Sequence, residues 1–587
     1  MADYEDKSNC VGKTQKKKPG GWKAMPYILG NEAFASLAAN GMFANFLVYL
    51  TRELHIDTIF AGKILSIWYG LSNFGPLIGA FISDTYVGRF NTIAFASVPN
   101  LLGMMVVTLT AWLPKLHPPP CTPLQLVHNQ CEKPKKIHLL VLLLGFLLMS
   151  VGSSGIKPCS VPFGVDQFDL TTIEGRRGIV SFFNWSYTIT SLVFLVTQTV
   201  VIYVQDSVSW SLGFGIPTMC MFLALVMFFV GTRVYVHVEP QGSILSGVVQ
   251  VLVAAYRKRK AEIPSCGEED DGSAFYDPPL KESGLMIKLP MTNQFRVLNK
   301  AALIMEGELN PDGSKANPWR LASIQQVEEA KCLARILPIW TTGFLTLTAI
   351  IHLGIFTVLQ ALQMDRHLGP RFQIPAGSFS VFSFLTIVLW VPLYDRIIVP
   401  ALRKTTHHEG GITLLQRMGI GLVFCVVSMV VAGFVEKARR NSTNSNPNPL
   451  GIAPMSAMWL AMPLILMGFC EAFNAIGMVE FFNRQCPEHM RSISNSLLNC
   501  SWGVASYLST FIITVVSRRT SWLMNDLNVG RLEFFYYLIA GLGVLNLGFF
   551  FFIAQRYQYT NFKVQDDNHD GYANNGDVEL ATTKASV

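Results

Sequence analysis

Three ionisable residues stand apart because each lies within a long apolar stretch of the sequence. They are Glu32, Lys157 and Glu471, and they are far apart along the chain. A charged side chain in an apolar environment is costly unless a partner or water compensates, so such groups are candidates for proton or ion binding. The structural alternative for each is an ion pair that joins two helices. Because the three residues come from distant segments, we favour a shared polar cavity that binds a proton or a solute.

Further polar residues extend this predicted cavity. Ser36 and Asn40 follow Glu32 after four and eight residues, which places all three on one face of a helix. His352, in a later apolar stretch, is another titratable group, although a lone histidine on a membrane helix more often serves hydrogen-bonded packing. Glu480 lies nearer the end of its stretch, where a structural ion pair is the favoured interpretation.

A short turn carries a second polar feature. Asp84 and Arg89 flank it, with Gly88 directly before the arginine. A carboxylate and a guanidinium in such a turn can join the ends of neighbouring helices and separate when the helices move. We predict a gating contact here that does not touch the solute.

The composition indicates what must position these residues. Of 587 residues, 50% are hydrophobic and only 14% are charged, with a mean hydropathy of +0.35. A soluble protein carries about 25% charged residues. Uncharged runs such as 138–152 and 542–554 belong to stretches that match a hydrocarbon core of about 30 Å. A soluble enzyme, a disordered chain and a nucleic-acid-binding protein are excluded, and an all-α polytopic membrane protein is indicated.

Apolar windows bounded by charges or by Pro and Gly predict twelve transmembrane helices. Six precede a long polar segment and six follow it, which is the organisation of two packed six-helix bundles. The predicted spans are 26–50, 59–83, 90–113, 138–157, 179–204 and 211–231, followed by 335–357, 376–394, 413–435, 454–482, 495–516 and 534–555.

This division gives five segments. A basic N-terminal tail (1–25) precedes the first bundle (26–231), a central linker (232–332) leads to the second bundle (333–556), and a polar C-terminal tail (557–587) is predicted to be disordered. When both tails and the linker lie on one side, that side holds 29 of the 46 Lys and Arg residues and the other side holds 13. The asymmetry favours cytosolic termini.

The linker contains two predicted helices. Residues 242–260 form an apolar-faced helix that ends in the basic run 257–260, a pattern typical of a helix lying on an anionic membrane surface. A second, polar helix at about 319–332 leads into the seventh span.

Metal, cofactor and enzyme chemistry find no support in the sequence. Its eleven Cys residues form no CxxC motif and no cluster with His at metal-ligand spacing, and no phosphate loop or nucleophile–base motif is present. We expect no metal, no cofactor and no enzymatic activity. Cys121 and Cys131 share a loop predicted to be extracytoplasmic, where a disulfide and free thiols are both open, and Asn441 begins a glycosylation sequon in another such loop.

Several longer motifs resemble known transporters. The run GAFISDTYVGRF (79–90) is similar to the loop between the second and third helices of major facilitator proteins. Six others resemble the plant nitrate/peptide transporter family, the plant branch of the proton-coupled oligopeptide transporters, and most of all its second subfamily of nitrate, glucosinolate and other glycoside carriers. They are GIKP (155–158), FGVDQFD (163–169), SFFNW (181–185), LPIW (337–340), MDRHLGPRFQIPAGS (364–378) and CEAFNAIGMVEFFNRQCPEHMRS (470–492).

The resemblance implies roles for some of the candidate residues. The family's first helix usually reads Glu-x-x-Glu-Arg/Lys and serves proton coupling. Here Glu32 keeps the first acid, whereas Ala35 and Ser36 replace the second acid and the base. Lys157 and Glu471 match the family's fourth-helix Lys and tenth-helix Glu.

One nitrate-binding feature of the family is displaced in this sequence. In the well-known nitrate carrier, a histidine of the seventh helix contacts nitrate. Ile350 occupies that place, and His352 lies two residues further on and therefore on another face of the helix. This lowers the expectation of nitrate binding by that route, whereas Lys157 can still bind an anion.

These features together predict a secondary transporter that moves a small solute by alternating access between the two bundles. Proton symport is favoured, with a glycosylated metabolite or with nitrate or another anion as the solute. An uncoupled facilitator or exporter of nitrate or chloride and a non-transporting membrane sensor are the alternatives. The expected partners are the solute, protons and the lipid bilayer, without nucleic acid, and a homo-oligomer is left open. The plasma membrane is favoured over the vacuolar membrane.

Overall fold

Long helices make up most of the structure. The computed structural model describes residues 20–119, 121, 132–169, 172–237, 244–261, 274–278, 289–369, 372–406, 412–445, 452–486, 490–524, 526–559 and 583–584. The long helices of these residues are α1 (Met25–Glu53), α2 (Thr58–Val87), α3 (Arg89–Trp112), α4 (Lys136–Val165), α5 (Ile173–Val196, continued by Thr197–Val201 and Val204–Val208), α6 (Trp210–Arg233), α7 (Ile324–Leu362), α8 (Ala376–Thr405), α9 (Leu414–Ser445), α10 (Ala457–Phe482), α11 (Arg491–Arg519) and α12 (Leu532–Ala554).

The helices have the length and surface of membrane spans. Within the described residues, eleven are long and apolar enough to cross a membrane, and the apolar part of α5 is Leu192–Val208. Large apolar side chains remain exposed, with Phe95 at 73% and Leu545 at 71%, and such surfaces are favourable against lipid rather than water. The predicted all-α membrane architecture of twelve helices is confirmed.

The helices pack as two bundles, α1–α6 and α7–α12. In the first, α3 packs on α4 and α1 on α6, and in the second, α9 packs on α12 and α7 on α11. Aromatic rings fill each core: Trp68 stacks on Phe146 with centroids 4.4 Å apart, and Phe356 meets Phe535 at 5.2 Å. The extensive contact between the bundles is that of α2 with α11.

The helix α4 is longer than predicted because it continues through two prolines. It ends at Val165, so Lys157 lies inside the helix and not at its end. Pro158 has no N–H to bond the carbonyl of Ser154, and α2 lies against that carbonyl. A Cβ on Gly79 of α2 would collide with the Ser154 oxygen, so the close packing of the two helices here requires a glycine.

The predicted polar helix at 319–332 is not a separate element. Instead, α7 begins at Ile324 and continues as one helix of 39 residues into the second bundle. Its start is fixed by a capping box between Ser323 and Gln326, which satisfies backbone N–H groups at the N-terminus. The polar segment before the span and the span itself are therefore one continuous helix.

The helix α9 also extends beyond its predicted end. It reaches Ser445, so the sequon at Asn441 lies in a helix and not in a loop. Thr443 of that sequon is buried, and its hydroxyl donates to the Arg439 carbonyl at 3.1 Å. This geometry is unfavourable for glycan attachment, which needs an accessible loop.

The central linker is folded against α7. The linker helix (Ile244–Arg257) buries one apolar face in a cluster with the linker and with α7. The apolar side chains of this cluster include Val251, Ala254, Ala255, Ala301, Ala302, Ala322, Val327 and Ala330. Part of the apolar surface that predicted a membrane contact is therefore used inside the protein.

Two pairs of short strands are present among the described residues, one between two loops and one within the C-terminal tail. Met364–Asp365 pairs in parallel with Ala453–Ser456, between the loops that precede α8 and α10, and Gln558–Tyr559 pairs antiparallel with Thr583–Lys584. The remainder of the tail predicted to be disordered (560–582 and 585–587) lies outside the described residues. Cys121 is disulfide-bonded, and Cys131, considered as its partner, also lies outside them.

Candidate functional site

Lys157 supplies the positive charge of the candidate site. Its ammonium donates to the Ser72 carbonyl and to the Asn73 amide oxygen of α2, both at 3.3 Å. Lys157 is exposed although Gly155 and Cys159 on either side of it are buried against other helices. Because α2 packs on α11 of the second bundle, the ammonium lies beside the space between the bundles.

The carboxylate of Glu32 is held by a neutral side chain of another helix. Its carboxylate accepts a hydrogen bond of 2.6 Å from the Ser186 hydroxyl of α5. Within the described part of the chain, neither Glu32 nor Lys157 has an oppositely charged group within 4.0 Å. The pairing of Glu32 with Lys157 is therefore not present in this conformation. Each charged group is held by a neutral hydrogen-bonding partner.

Ser36 and Asn40 lie on α1 above Glu32, as predicted. The Asn40 amide donates to the Ser36 carbonyl at 2.9 Å, within the same helix. Ser36, Asn40 and Glu32 are all half-buried. Their common face is therefore accessible, and this agrees with a polar wall rather than with tight packing against a neighbouring helix.

Glu471 lies in the second bundle at the first position of a π-helical turn, Glu471–Ala475 of α10. Such turns are frequent at functional sites, because the extra residue re-aims side chains. Glu471 is half-buried, and its charge acts on the phenol of Tyr69 in α2. Tyr69 meets Trp502 of α11 at 6.1 Å and Phe43 of α1 at 4.9 Å, as ring-centroid distances. Aromatic contacts therefore join the two bundles beside this acid.

Three residues of this region were missed in the sequence analysis: Tyr69, Asn73 and Ser186. Tyr69 and Asn73 are spaced four residues apart on α2, and the Asn73 amide donates to the Tyr69 carbonyl at 2.8 Å. Polar groups at helical spacing inside an apolar span were the signal that could have found them. Ser186 carries no such signal, because single serines are common in membrane helices.

His352 is not placed with the other candidate residues. It is fully buried in the second bundle, edge-on to Phe535 at 5.0 Å and tilted against Phe356 at 6.4 Å. Ile350, two residues before it, is half-buried and packs against the same core. The structure therefore assigns His352 to core packing between α7 and α12 and not to the wall beside Lys157.

The turn between α2 and α3 forms the predicted ion pair and extends it. The Arg89 guanidinium lies 3.7 Å from Asp84 and 2.6 Å from Asp166, the residue directly after α4. Gly88 makes the turn with a φ of +81°, a conformation that favours glycine. Arg89 thus joins the inner ends of α2, α3 and α4. Asp166, within the motif 163–169, was not singled out in the sequence.

The second bundle repeats this arrangement. Arg417 at the start of α9 lies 3.1 Å from Glu480 of α10, and its guanidinium stacks over the Tyr394 ring of α8 at 4.9 Å. The predicted structural ion pair of Glu480 is confirmed. Because α8, α9 and α10 occupy the places of α2, α3 and α4, each bundle carries one arginine that ties three helices at the same end.

Charges also connect the bundles on the opposite side of the membrane. Asp206 at the end of α5 lies 3.5 Å from Arg52 of α1 and 3.8 Å from Arg366, which precedes α8. Burial lowers the pKa of Arg366, the charge of Arg52 acts in the same direction, and Asp206 opposes both. Nearby, the Ser380 hydroxyl of α8 donates to the Gln198 side chain of α5 at 2.7 Å. Two cations from different bundles therefore depend on one carboxylate.

The site offers hydrogen-bonding and ionic groups rather than metal ligands. Among the described residues, no group of three or more His, Cys, Asp and Glu side chains is arranged to hold a metal ion. The arrangement presents one ammonium, at Lys157, and two carboxyl groups, at Glu32 and Glu471; an ammonium attracts anions and a carboxyl group exchanges protons with water.

Comparisons with known proteins give one consistent family. The family model described as "PTR2: POT family" matches residues 90–529. The chain is 53% identical to Protein NRT1/PTR FAMILY 2.13 of Arabidopsis thaliana, over 97% of this chain and 92% of that protein. It is 49% identical to Protein NRT1/PTR FAMILY 2.12 of the same plant, over 94% of this chain and 95% of that protein. The predicted similarity to the second subfamily is confirmed.

Solved structures share the fold. An auto-inhibited POT family peptide transporter superposes with a TM-score of 0.66 at 19% identity, over 93% of this chain and 99% of that chain. The POT family transporter PepTSo gives a TM-score of 0.67 at 19% identity, over 92% of this chain and 99% of that chain.

Proposed function

The chain belongs to the POT family of membrane transporters, and from this premise we propose that it moves a small solute across a plant membrane together with protons. The two bundles alternate between conformations that open the site to one side or the other. Glu32 and Glu471 carry the coupled protons, and Lys157 binds the solute. The solute is a glycosylated metabolite, or nitrate or another small anion.

The accessible, acid-free ammonium of Lys157 carries this proposal. Its two acceptors are a carbonyl and an amide oxygen, which are neutral. A lysine that already held a carboxylate would bind an anion weakly, because the anion would have to displace that partner. Lys157 therefore keeps a positive charge available to nitrate or to an anionic group on a larger solute.

Proton coupling is supported by the separate positions of the two acids. Glu32 belongs to the first bundle together with Lys157, and Glu471 belongs to the second, so rocking of the bundles changes the distance of Glu471 from Lys157 and the access of water to both acids. A carboxyl group that approaches an ammonium favours its charged form, and one that moves away into an apolar space favours its protonated form. Alternating access would thus alternate proton uptake and release.

The smaller side chains of α1 support a bulky solute. Ala35 and Ser36 stand where the family usually has an acid and a base, and the half-buried Ser36 and Asn40 lie beside Glu32. Tyr69, Phe43 and Trp502 add aromatic faces near Glu471, and such faces pack well against the apolar faces of sugar rings. A glycoside with a charged group fits these features together.

Uptake into oocytes that express the full chain tests the proposal. Nitrate and a panel of plant glycosides are offered at acidic and at near-neutral external pH, with Glu32→Gln and, as a control at an exposed acid of the linker, Glu306→Gln beside the natural protein. Symport predicts faster uptake at acidic pH and inward current, both lost in Glu32→Gln and kept in Glu306→Gln. Uptake that ignores pH and survives Glu32→Gln would instead indicate the uncoupled facilitator or exporter.

The same expression system addresses the remaining alternatives. A sensor would bind a solute without accumulation, so binding in membranes with no flux in either direction would contradict transport. We place the protein in the plasma membrane, and a fluorescent fusion in plant cells distinguishes this from the vacuolar membrane.

A further inference from the structure

The linker helix has a second apolar stripe that is largely exposed. Val249, Leu252 and Tyr256 are 49%, 52% and 68% exposed, and their spacing of three and four residues places them along one side of the helix. The buried stripe of Val251, Ala254 and Ala255 faces another direction, towards α7. The two stripes are thus distinct, and only one is explained by the fold.

The position of the linker helix along α7 determines how deep the linker helix lies relative to the membrane. It packs against Val327 and Ala330, and Val248 also touches the cluster that contains Leu333 and Ile336. The apolar span of α7 begins near residue 335, five residues beyond Ala330, or about 8 Å along the helix axis. An interfacial helix buries its apolar face about 5–10 Å into the boundary between headgroups and acyl chains. The linker helix therefore lies at the level of lipid headgroups.

The attachment between the linker and α7 is rigid. Glu328 and Lys331 of α7 form a buried ion pair at 2.6 Å. Thr292 of the linker donates its backbone N–H and its hydroxyl to Glu328, both at 2.8 Å, and its carbonyl accepts from Lys331 at 2.6 Å. A buried network with every partner present is costly to break. The linker around Thr292 is therefore fixed to α7, and the linker helix packs on the same part of α7 through its buried apolar stripe.

The basic run at the end of the linker helix contains one buried and three exposed residues. Lys258 is buried and bonds Glu308 and the Leu303 carbonyl, both at 2.6 Å. Arg257, Arg259 and Lys260 remain exposed, and the Arg259 guanidinium stacks over the ring of Tyr256 at 4.6 Å. Exposed cations thus border the exposed apolar stripe, which is the arrangement that anionic headgroups over acyl chains require.

We propose that the linker helix is a docking surface for anionic lipids of the cytosolic leaflet. Val249, Leu252 and Tyr256 enter the boundary of the acyl chains, and Arg257, Arg259 and Lys260 bind the headgroups. Because α7 carries the helix, the lipid surface constrains the inner end of the second bundle. A cytosolic protein is the other class of occupant, and it would leave the stripe unlabelled by lipid.

Photolabelling of the full chain in lipid nanodiscs tests this docking. The probes are phosphatidylserine and phosphatidylcholine with a diazirine near the glycerol end of the acyl chain, and mass spectrometry locates the adducts. We expect adducts on the peptide with Val249 to Tyr256, and about threefold more from the phosphatidylserine probe. Replacing Arg257, Arg259 and Lys260 by Gln should remove that preference, and Leu252→Asp should remove the adducts.

Controls separate docking from unfolding and from transport. Adducts near the exposed Phe95 of α3 should be equal in all variants, because that surface faces lipid in any folded form. An undiminished linker signal in Leu252→Asp, or equal labelling by the two probes in the natural protein, would overturn the proposal. The labelling needs no solute, so failure of the proposed transport function would leave this result intact.

Discussion

The ammonium of Lys157 lies 3.3 Å from the side-chain oxygen of Asn73, a neutral acceptor on the neighbouring helix. This contact orients the lysine without neutralising it. A carboxylate at the same place would satisfy the ammonium by charge and would compete with any anionic solute. The identity of residue 73 is therefore expected to decide how strongly Lys157 binds an anion.

The variant Asn73→Asp tests this directly. The new carboxylate should pair with Lys157 and raise the KM for an anionic solute about tenfold, which corresponds to about 1.4 kcal/mol. Asn73→Ser, which keeps the position neutral, should change KM far less. Concentration-dependent uptake at matched surface expression measures both, and equal KM values for the two variants would contradict a solute-binding role of Lys157.

The cluster around Arg89 should govern the rate of transport and not the affinity. Arg89→Gln leaves Asp84 and Asp166 as neighbouring like charges at the inner ends of α2 and α4. We expect the maximal rate to fall about tenfold with KM unchanged, because one lost charged contact costs about 1.5–3 kcal/mol. The double variant Arg89→Gln with Asp166→Asn removes one of the stranded charges and should recover part of the rate. No recovery would mean that repulsion between the acids is not the cause.

The fold was largely predictable because each membrane span is a long apolar stretch that can be recognised in the sequence. The two-bundle division and the approximate span positions follow from where charges are absent. The helix ends were less predictable: α4 continues through Pro158, and Gly79 of α2 packs beside the Ser154 carbonyl that the proline leaves without its helical hydrogen bond. A single sequence gives no sign of such a contact between helices.

The site was only partly predictable, because partners depend on how helices are rotated. The isolation of Glu32, Lys157 and Glu471 in apolar spans identified them as candidates. The same rule selected His352, yet its helix rotates it between aromatic rings in the core. Asn73 and Ser186, which hold Lys157 and Glu32, are uncharged, so placing them in an apolar span costs less and the sequence marks them more weakly than the three charged residues.

A buried ion pair within the second bundle, between Arg439 and Glu436 of α9, should contribute strongly to the thermal stability of the protein. Arg439 and Glu436 are both fully buried, 2.8 Å apart, and Arg439 also donates to Asn528 at 2.7 Å. Removing one partner of such a pair costs about 3–5 kcal/mol, because the other charge stays buried. Arg439→Met should therefore lower the apparent Tm in detergent strongly. The exposed Lys437 serves as the control, since Lys437→Met should cost about 0.5 kcal/mol or less.

A double variant tests whether the stranded charge of Glu436 causes the lower Tm. The double variant Arg439→Met with Glu436→Gln leaves no buried charge at this place, so its Tm should lie above that of Arg439→Met alone. A double variant that is less stable than the single one would show that the hydrogen bond from Gln360 to Glu436, at 2.6 Å, matters more than the stranded charge.

The contact of Asp206 with Arg52 and Arg366 should hold the outer ends of the bundles together. Asp206→Asn leaves two guanidinium groups from different bundles facing each other without a carboxylate, and their repulsion favours separation. Gln198→Cys with Ser380→Cys reports on the gap, because these side chains are hydrogen-bonded at 2.7 Å in the closed form. We expect oxidative cross-linking of this cysteine pair to fall to about half or less in the Asp206→Asn background, which needs only about 0.4 kcal/mol.

Adding Arg366→Gln removes one cation and should restore the cross-link. Equal cross-linking in all three backgrounds would mean that α5 and α8 close independently of these charges.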